Sequence, residues 1–226
     1  IDIKPPVFVS VALEAAFDTA GGEGTTSDRY TKSIDQLKVT FNQTSAEPGD
    51  KVSIREVLAD GTAKLLGEVV LDAAKIAVGY VNVPIMAVAD GSHSLNITVR
   101  DGAGNVTGLS NYVVTTDTTA AAPLVSLTVN SGLTTDSITN SAALTVSQET
   151  GAALEYSTNN GGTWSSTFTA QEGANNLLVR QIDKAGNDAV AGDCNLANGG
   201  ILQETGRQPV HPVQVVARAY GIPEEG

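Results

Sequence analysis

One stretch of the sequence occurs twice and decides the fold: Ser94-Leu-Asn-Ile-Thr-Val-Arg-Asp-Gly-Ala-Gly-Asn105 and Asn176-Leu-Leu-Val-Arg-Gln-Ile-Asp-Lys-Ala-Gly-Asn187. In each copy apolar and polar residues alternate, which predicts a β-strand. Each copy then ends in Asp-x-Ala-Gly-Asn, which predicts a turn, because Gly and Asn both tolerate positive φ. In the first copy the predicted buried face is Leu95, Ile97 and Val99. The second copy is less regular and leaves two sets open, namely Leu178, Arg180 and Ile182 or Leu177, Val179 and Gln181.

The repeated strand predicts two related units, because its carboxylates Asp101 and Asp183 stand 82 residues apart. Elsewhere in the chain, short runs of alternating apolar and polar residues are bounded by turn residues, and no helical period is visible. About seven such strands per hundred residues are typical of an immunoglobulin-like sandwich. We therefore predict an all-β chain of two tandem immunoglobulin-like β-sandwich domains, 1–118 with an N-terminal linker and 119–226. In the second domain, 153–158 and 163–169 are predicted to form a hairpin, the boundary after about 190 stays open, and Val213–Tyr220 is the candidate for a final strand.

The composition excludes several classes of function. With 25 acidic and 13 basic residues in 226, the net charge is −12, which argues against a nucleic-acid partner. Cys194 is the one cysteine, so it is either an incidental thiol or a nucleophile that would need His93 or His211 nearby. No nucleophile and base share a motif, which predicts that the chain is not an enzyme. No window resembles a signal peptide or a membrane span, and the start at Ile1 suggests a fragment of a longer protein.

Several motifs together resemble the tandem bacterial Ig-like domains of giant surface adhesins, both the RTX-type proteins of type I secretion and the biofilm-associated proteins. The resemblance is carried by Thr116-Asp-Thr-Thr119, Leu133-Thr-Thr-Asp-Ser-Ile-Thr-Asn140, Glu155-Tyr-Ser-Thr-Asn-Asn-Gly-Gly-Thr-Trp164, Gln171-Glu-Gly-Ala-Asn175 and Val179-Arg-Gln-Ile-Asp-Lys-Ala-Gly-Asn187. A looser match covers 6–116, through Ala46-Glu-Pro-Gly49 and Arg100-Asp-Gly-Ala-Gly-Asn105. The resemblance implies an extracellular, monomeric extender that supports cell adhesion and biofilm formation. Its partners would be neighbouring Ig-like domains of the same chain, without membrane insertion. The alternative is a module that binds a glycan or a host protein.

The predicted topology also places candidate ligands for Ca²⁺. In an immunoglobulin-like sandwich the B–C and F–G turns lie at the end where strand A begins. We therefore expect Asp117, Glu149 and Asp183 to converge in the second unit. Asp2, Glu47 and Asp101 are expected to converge in the same way in the first unit. Three carboxylates repel one another unless a cation neutralises them, and flexible oxygen-rich sites suit Ca²⁺.

Two kinds of residue keep alternative interpretations. Asp28 and Asp136 lie in the polar A–B loops, where each could assist a Ca²⁺ site, although a lone loop Asp is more often the cap of an Asx turn. Trp164 and Tyr156 lie on the predicted hairpin, where they could stack on a sugar ring, although a Trp in a sandwich is more often part of the core.

Overall fold

The computed structural model describes residues 2–134 and 136–191, and nearly all of their regular structure is β. The predicted all-β class is therefore confirmed, whereas the predicted strand Val213–Tyr220, together with Cys194 and His211, lies outside the described residues. The strands are β1 (Phe8–Ala12), β2 (Tyr30–Thr31), β3 (Gln36–Phe41), β4 (Lys51–Val57), β5 (Ala63–Val70), β6 (Tyr80–Pro84), β7 (Gly91–Arg100), β8 (Val106–Thr116), β9 (Leu124–Leu127), β10 (Leu144–Ser147), β11 (Ala153–Ser157), β12 (Leu178–Ile182) and β13 (Asp188–Val190). One short helix, α1 (Ala73–Val78), lies between β5 and β6.

The chain divides into two compact units. The first unit is Ile1–Thr119 together with Lys184–Asn187, and the second is Ala120–Asp183 together with Asp188–Gly226. The turn that follows β12 is thus grouped with the first unit, although the strands on both sides of it belong to the second. Sequence patterns alone had no means of assigning this turn to the first unit.

The first unit contains two sheets, β1-β3-β6 and β2-β8-β7-β4-β5, that share one hydrophobic core. Their alternating strands each send one set of apolar side chains into that core, as the period of two requires. The predicted face of β7, Leu95, Ile97 and Val99, is fully buried. Across the strand pair, Ile97 is opposite Ile54 and Val99 is opposite Val52. Burial of such side chains contributes about 1.5–3 kcal/mol each, so this face stabilises the unit strongly.

Strands β7 and β8 pair through a register shift between Leu95 and Ile97. Gly108 of β8 packs so closely there that a Cβ atom would lie 1.9 Å from the Ile97 carbonyl oxygen. A side chain at position 108 would therefore push the two strands apart. The turn after β7 uses Gly104 at φ 97°, so in this Gly-Asn pair the glycine supplies the positive φ.

The helix α1 was not predicted from the sequence. Asp72 caps its N-terminus, because the carboxylate Oδ1 accepts the Lys75 main-chain N–H at 2.9 Å. Gly79 ends it in the left-handed conformation, at φ 83°. Six residues are too few to produce a visible helical period, and alanine-rich composition with two caps is the signal that was available.

The second unit contains the sheets β11-β12-β13 and β10-β9 in its described part. The buried set of β12 and its flanking residue is Leu177, Val179 and Gln181, so the second of the two open sets is the interior one. A glutamine therefore takes an interior position in a strand, which requires internal hydrogen-bond partners.

One prediction about the second unit is wrong. The segment 163–169 forms no strand within the described chain and touches β11 through one bridge, Tyr156 with Ser165. The turn before it does form, since Asn159 Oδ1 accepts the Thr163 N–H at 2.8 Å. Serine and threonine side chains that bond to nearby main chain compete with strand pairing after this turn. Strand β13 was not predicted from the sequence.

Candidate functional site

The turn after β7 places the Asp101 carboxylate near Asp2, in the leading segment, which is the stretch of chain before β1. Asn105 Nδ2 donates to Asp101 Oδ2 at 2.7 Å and to the main-chain oxygen of Asp2 at 3.3 Å. The Asn105 main-chain N–H also donates to Asp101 Oδ1 at 2.8 Å. These hydrogen bonds from Asn105, the side-chain one first, hold the pKa of Asp101 below its ordinary value. Asn105 thus links the Asp101 carboxylate to the main chain of Asp2, whereas the Asp2 carboxylate accepts the Lys4 N–H at 3.1 Å. The convergence of the Asp2, Glu47 and Asp101 carboxylates stays a prediction.

The leading segment makes further hydrogen bonds to the first unit. The main-chain N–H of Val7 donates to Ser45 Oγ at 2.9 Å, and that of Phe8 donates to Thr107 Oγ1 at 3.1 Å. Thr107 Oγ1 in turn donates to the Pro6 carbonyl oxygen. Ser45 lies in the B–C turn and Thr107 follows the F–G turn, so the leading segment contacts both turns at this end of the unit.

Asp50 lies in the B–C turn of the first unit, between β3 and β4, and bonds to the main chain of that turn. It was not among the acids predicted from the sequence. Asp50 is buried, and its Oδ2 accepts the main-chain N–H of Glu47 at 2.8 Å. Glu47 itself is exposed. Asp50 accepts an N–H that precedes it in the chain, the reverse of the usual Asx turn, so the turn rule did not single it out.

In the second unit, the side-chain amide of Gln181 makes hydrogen bonds that correspond to those of Asn105. Gln181 is 0% exposed. Its Nε2 donates to Glu149 Oε2 at 2.7 Å and to the main-chain oxygen of Ala121 at 2.6 Å. Its Oε1 accepts the main-chain N–H of Glu149 at 3.0 Å. The segment that leads into the second unit, its B–C turn and its β12 strand therefore meet at one buried side chain.

The remaining predicted acids each have local roles. Asp117 accepts the Tyr30 hydroxyl at 3.0 Å and the Thr119 N–H at 3.2 Å. Asp28 accepts the N–H groups of Thr25 and Tyr30 and lies 3.5 Å from Lys184 Nζ. Asp136 caps its own turn by accepting the Ile138 N–H at 3.0 Å.

Asp183 is buried at the end of β12. In residues 2–134 and 136–191, no group of three or more His, Cys, Asp or Glu lies close enough to hold a metal ion. The oxygen atoms gathered at Asp101 suit a hard cation in chemistry, since carboxylate, carbonyl and amide oxygens are calcium ligands. They include one carboxylate group rather than three.

A buried polar triad in the first unit also escaped the sequence analysis. His93 Nδ1 lies 2.6 Å from Glu56 Oε1, and His93 Nε2 lies 3.0 Å from Thr116 Oγ1. The arrangement resembles a nucleophile, base and acid, but Thr116 Oγ1 donates its proton to the Ala89 carbonyl at 2.6 Å. His93 Nε2 also faces that carbonyl at 2.9 Å. A hydroxyl whose proton is directed at a carbonyl has none to give to the imidazole, so the triad joins β4, β7 and β8 without activating Thr116.

Asp18 is a second buried polar group of the first unit. The side chain is 1% exposed and Oδ2 accepts the Arg29 N–H at 3.0 Å. Among the residues that the structure describes, Oδ1 has no hydrogen-bond partner. Burial raises the pKa of Asp18, while the hydrogen bond from Arg29 opposes the shift. The folded first unit therefore binds a proton at Asp18 more tightly than the unfolded chain does.

One face of Trp164 is covered by a neighbouring side chain. Trp164 is half-buried rather than part of the core, which corrects the predicted core position. The Arg180 guanidinium lies 4.3 Å from the centre of its ring and is held there by Glu155, at 2.6 Å from Nη2. Because Arg180 covers a face of Trp164, that face is not open to stack on a sugar.

Comparisons with known proteins give little more. No family model matches the chain, and a search of curated proteins finds no match. One similar solved structure is the crystal structure of CopC from Methylosinus trichosporium OB3b, with 19% identity over 50% of this chain and 93% of that chain, at a TM-score of 0.31. Another is the BSP domain of a biofilm associated protein, with 13% identity over 72% of this chain and 27% of that chain, at a TM-score of 0.26. This chain thus spans about a quarter of the second protein, and at these scores neither likeness carries an argument about function.

No helix in the described residues is long and apolar enough to cross a membrane.

Proposed function

We propose that this chain is an extracellular structural segment of a large bacterial surface adhesin. Its two units would be tandem immunoglobulin-like sandwiches that extend and stiffen a stalk in support of cell adhesion and biofilm formation. The first sandwich would span 1–118 and the second 119–226. The motifs that resemble adhesin Ig-like domains suggest this role, and the two sheets that share a core in the first unit support it.

The observation that carries the proposal is the anchoring of the chain that leads into each unit. In both units a side-chain amide nitrogen, of Asn105 or of Gln181, donates at once to a carboxylate and to a carbonyl oxygen of the leading segment. A linker of small residues such as 118–122 has little side-chain bulk to restrict it. Hydrogen bonds to its main chain reduce that freedom, which is what an extended spacer under tension requires.

Ca²⁺ is proposed to strengthen this anchoring at Asp101. The candidate ligands are the Asp101 carboxylate and the Asp2 carbonyl oxygen, which are hydrogen-bonded to the same Asn105 amide. That amide can present its oxygen instead of its nitrogen when it rotates by half a turn. Coordination of one Ca²⁺ ion by Asp117, Glu149 and Asp183 stays a prediction. The same holds for a contribution of Glu47, Asp28 or Asp136 to a Ca²⁺ site. The chain is proposed to act without catalysis, and turnover of a substrate that one substitution abolishes would contradict this.

Titration calorimetry with Ca²⁺ tests the metal part of the proposal. The wild-type chain is expected to bind Ca²⁺, and Asp101→Ala is expected to lose the heat of that site. Asp60→Ala is the matched control, because Asp60 caps a turn in the same way by accepting the Thr62 N–H at 2.8 Å. A chain that binds no Ca²⁺, or an Asp101→Ala variant that binds as the wild type does, would refute the Asp101 site.

Small-angle scattering tests the extender role. At a Ca²⁺ concentration of about a hundred times the dissociation constant, binding to the folded form alone adds about 2.7 kcal/mol of stability. The chain is therefore expected to melt at a higher temperature and to have a larger maximum dimension with Ca²⁺ than with a chelator. If both quantities are the same in the two solutions, Ca²⁺ does not stiffen the chain.

A further inference from the structure

The first unit includes the turn Lys184–Asn187, which is held by residues 19–31, in the loop before β2 and in β2 itself. We call residues 19–31 the turn socket. The main-chain oxygen of Ala185 accepts the Thr19 hydroxyl at 2.8 Å, and Ala185 is 0% exposed. The socket therefore encloses the middle of the turn.

The socket recognises the turn by close approach and by charge. The main-chain oxygen of Lys184 accepts the Gly21 N–H at 3.2 Å, and a Cβ atom on Gly24 would lie 2.1 Å from that oxygen. The Lys184 ammonium lies 3.5 Å from an Asp28 carboxylate oxygen and 5.0 Å from the centre of the Tyr30 ring. Small residues in the socket admit the turn backbone, and an acid with an aromatic ring receives its cation.

A second turn of the same shape follows β7, at residues 102–105. It shares Ala-Gly-Asn with the first turn, and φ is 97° at Gly104 and 92° at Gly186. Asn105 and Asn187 each donate a side-chain N–H to the main-chain oxygen of an aspartate, at 3.3 and 2.9 Å. The two turns therefore present the same backbone to a partner.

The second turn is not enclosed by the described residues. Ala103 is exposed, unlike its counterpart in the first turn. A Cβ atom on Gly102 would meet no described atom within 4 Å, and one on Gly104 would meet only the Arg100 guanidinium, at 3.4 Å. Arg100 thus puts a positive charge beside this turn, as Lys184 does in the other.

We propose that the turn Gly102–Asn105 docks into a turn socket of another protein module, with Ala103 enclosed and Arg100 facing an acid in the position of Asp28. The partner is a β-sandwich module whose loop has the chemistry of residues 19–31, namely glycines, a hydroxyl donor and a carboxylate. Such a partner rests on the tandem arrangement proposed above, in which a neighbouring module lies at this end of the first unit.

Mixing two forms of the full chain tests the docking. The double variant Ala103→Arg/Ala185→Arg has an open socket, because arginine does not fit the enclosed position 185, and its own turn after β7 is blocked. The wild-type chain has a filled socket and presents the turn after β7. Each form is expected to be monomeric alone. At about 1 mM of each, the range of effective concentrations between linked modules, the mixture is expected to contain a one-to-one heterodimer in sedimentation equilibrium.

Two controls each block one side of the contact. Gly24→Ala, added to the double variant, puts a Cβ atom where the oxygen of a docked turn would lie. Ala103→Arg alone, in place of the wild type, blocks the turn. Both are expected to abolish the heterodimer. Ala63→Arg, which puts the same charge on an exposed alanine of β5, is the matched control for the second block and is expected to leave the heterodimer intact.

A mixture that stays monomeric overturns the proposal, and so does a heterodimer that survives either block. If circular dichroism shows that Ala185→Arg unfolds the first unit, Lys184→Glu opens the socket in its place, because it sets a carboxylate against Asp28. The scattering test of the extender role is separate. A heterodimer together with a maximum dimension that ignores Ca²⁺ refutes the stiffening alone, and the reverse pair of results refutes the docking alone.

Discussion

Replacing Gln181 by methionine isolates the hydrogen bonds that anchor the second unit. Methionine has nearly the same length and volume as glutamine but offers no strong donor or acceptor. The change removes the two bonds to Glu149 and the bond to the Ala121 oxygen. Gln181 is 0% exposed, whereas its partners Glu149 and Ala121 are exposed residues, so the expected loss is that of protein hydrogen bonds exchanged for bonds to water.

The expected loss can be estimated bond by bond. A neutral hydrogen bond contributes about 1 kcal/mol and a bond to a charged group about 1.5–3 kcal/mol. The two neutral bonds and the bond to the Glu149 carboxylate therefore amount to about 4 kcal/mol. The more apolar methionine returns roughly 1–2 kcal/mol through burial. We expect a net loss of about 2–3 kcal/mol.

Trp164 fluorescence in a urea titration measures this loss for the second unit. With a slope of about 1–1.5 kcal/mol per M, the midpoint should fall by about 2 M. Gln171→Met is the matched control, since Gln171 is exposed and its side chain has one long bond, of 3.5 Å, to the Thr169 oxygen. A midpoint for Gln181→Met within about 0.5 M of that control would refute the reasoning.

Two further predictions concern the first unit. His93→Ala should lower its stability by about 3 kcal/mol, because it leaves the half-shielded Glu56 carboxylate without its partner. Thermal unfolding by circular dichroism checks this, and the double variant with Glu56→Leu should regain part of the loss. Asp18→Asn should raise stability at neutral pH. A raised folded pKa means that the stability contributed by Asp18 is present below its unfolded pKa and is lost as pH rises through the folded pKa. The gain of the variant over wild type should therefore grow between about pH 3 and pH 7 in urea titrations, and a gain that is constant with pH would contradict the assignment.

Local patterns in the sequence were enough to place most strands. Alternation located β7 and β12, because a period of two is a property of the strand itself. The turn signal at Gly104-Asn105 also holds, because positive φ depends on the residue at that position. The structure divides the chain into two compact units, and their relationship as tandem immunoglobulin-like sandwiches stays a prediction.

The tertiary structure alone decided which polar groups meet. Sequence spacing could not show that Gln181 points inward, since its alternation fits either face and only the long-range contacts with Glu149 and Ala121 satisfy its amide. Nor could it bring His93 to Glu56, 37 residues earlier in the chain. A strand's period is fixed by neighbouring backbone atoms, whereas the partner of a buried polar side chain is fixed by segments that become neighbours only after folding.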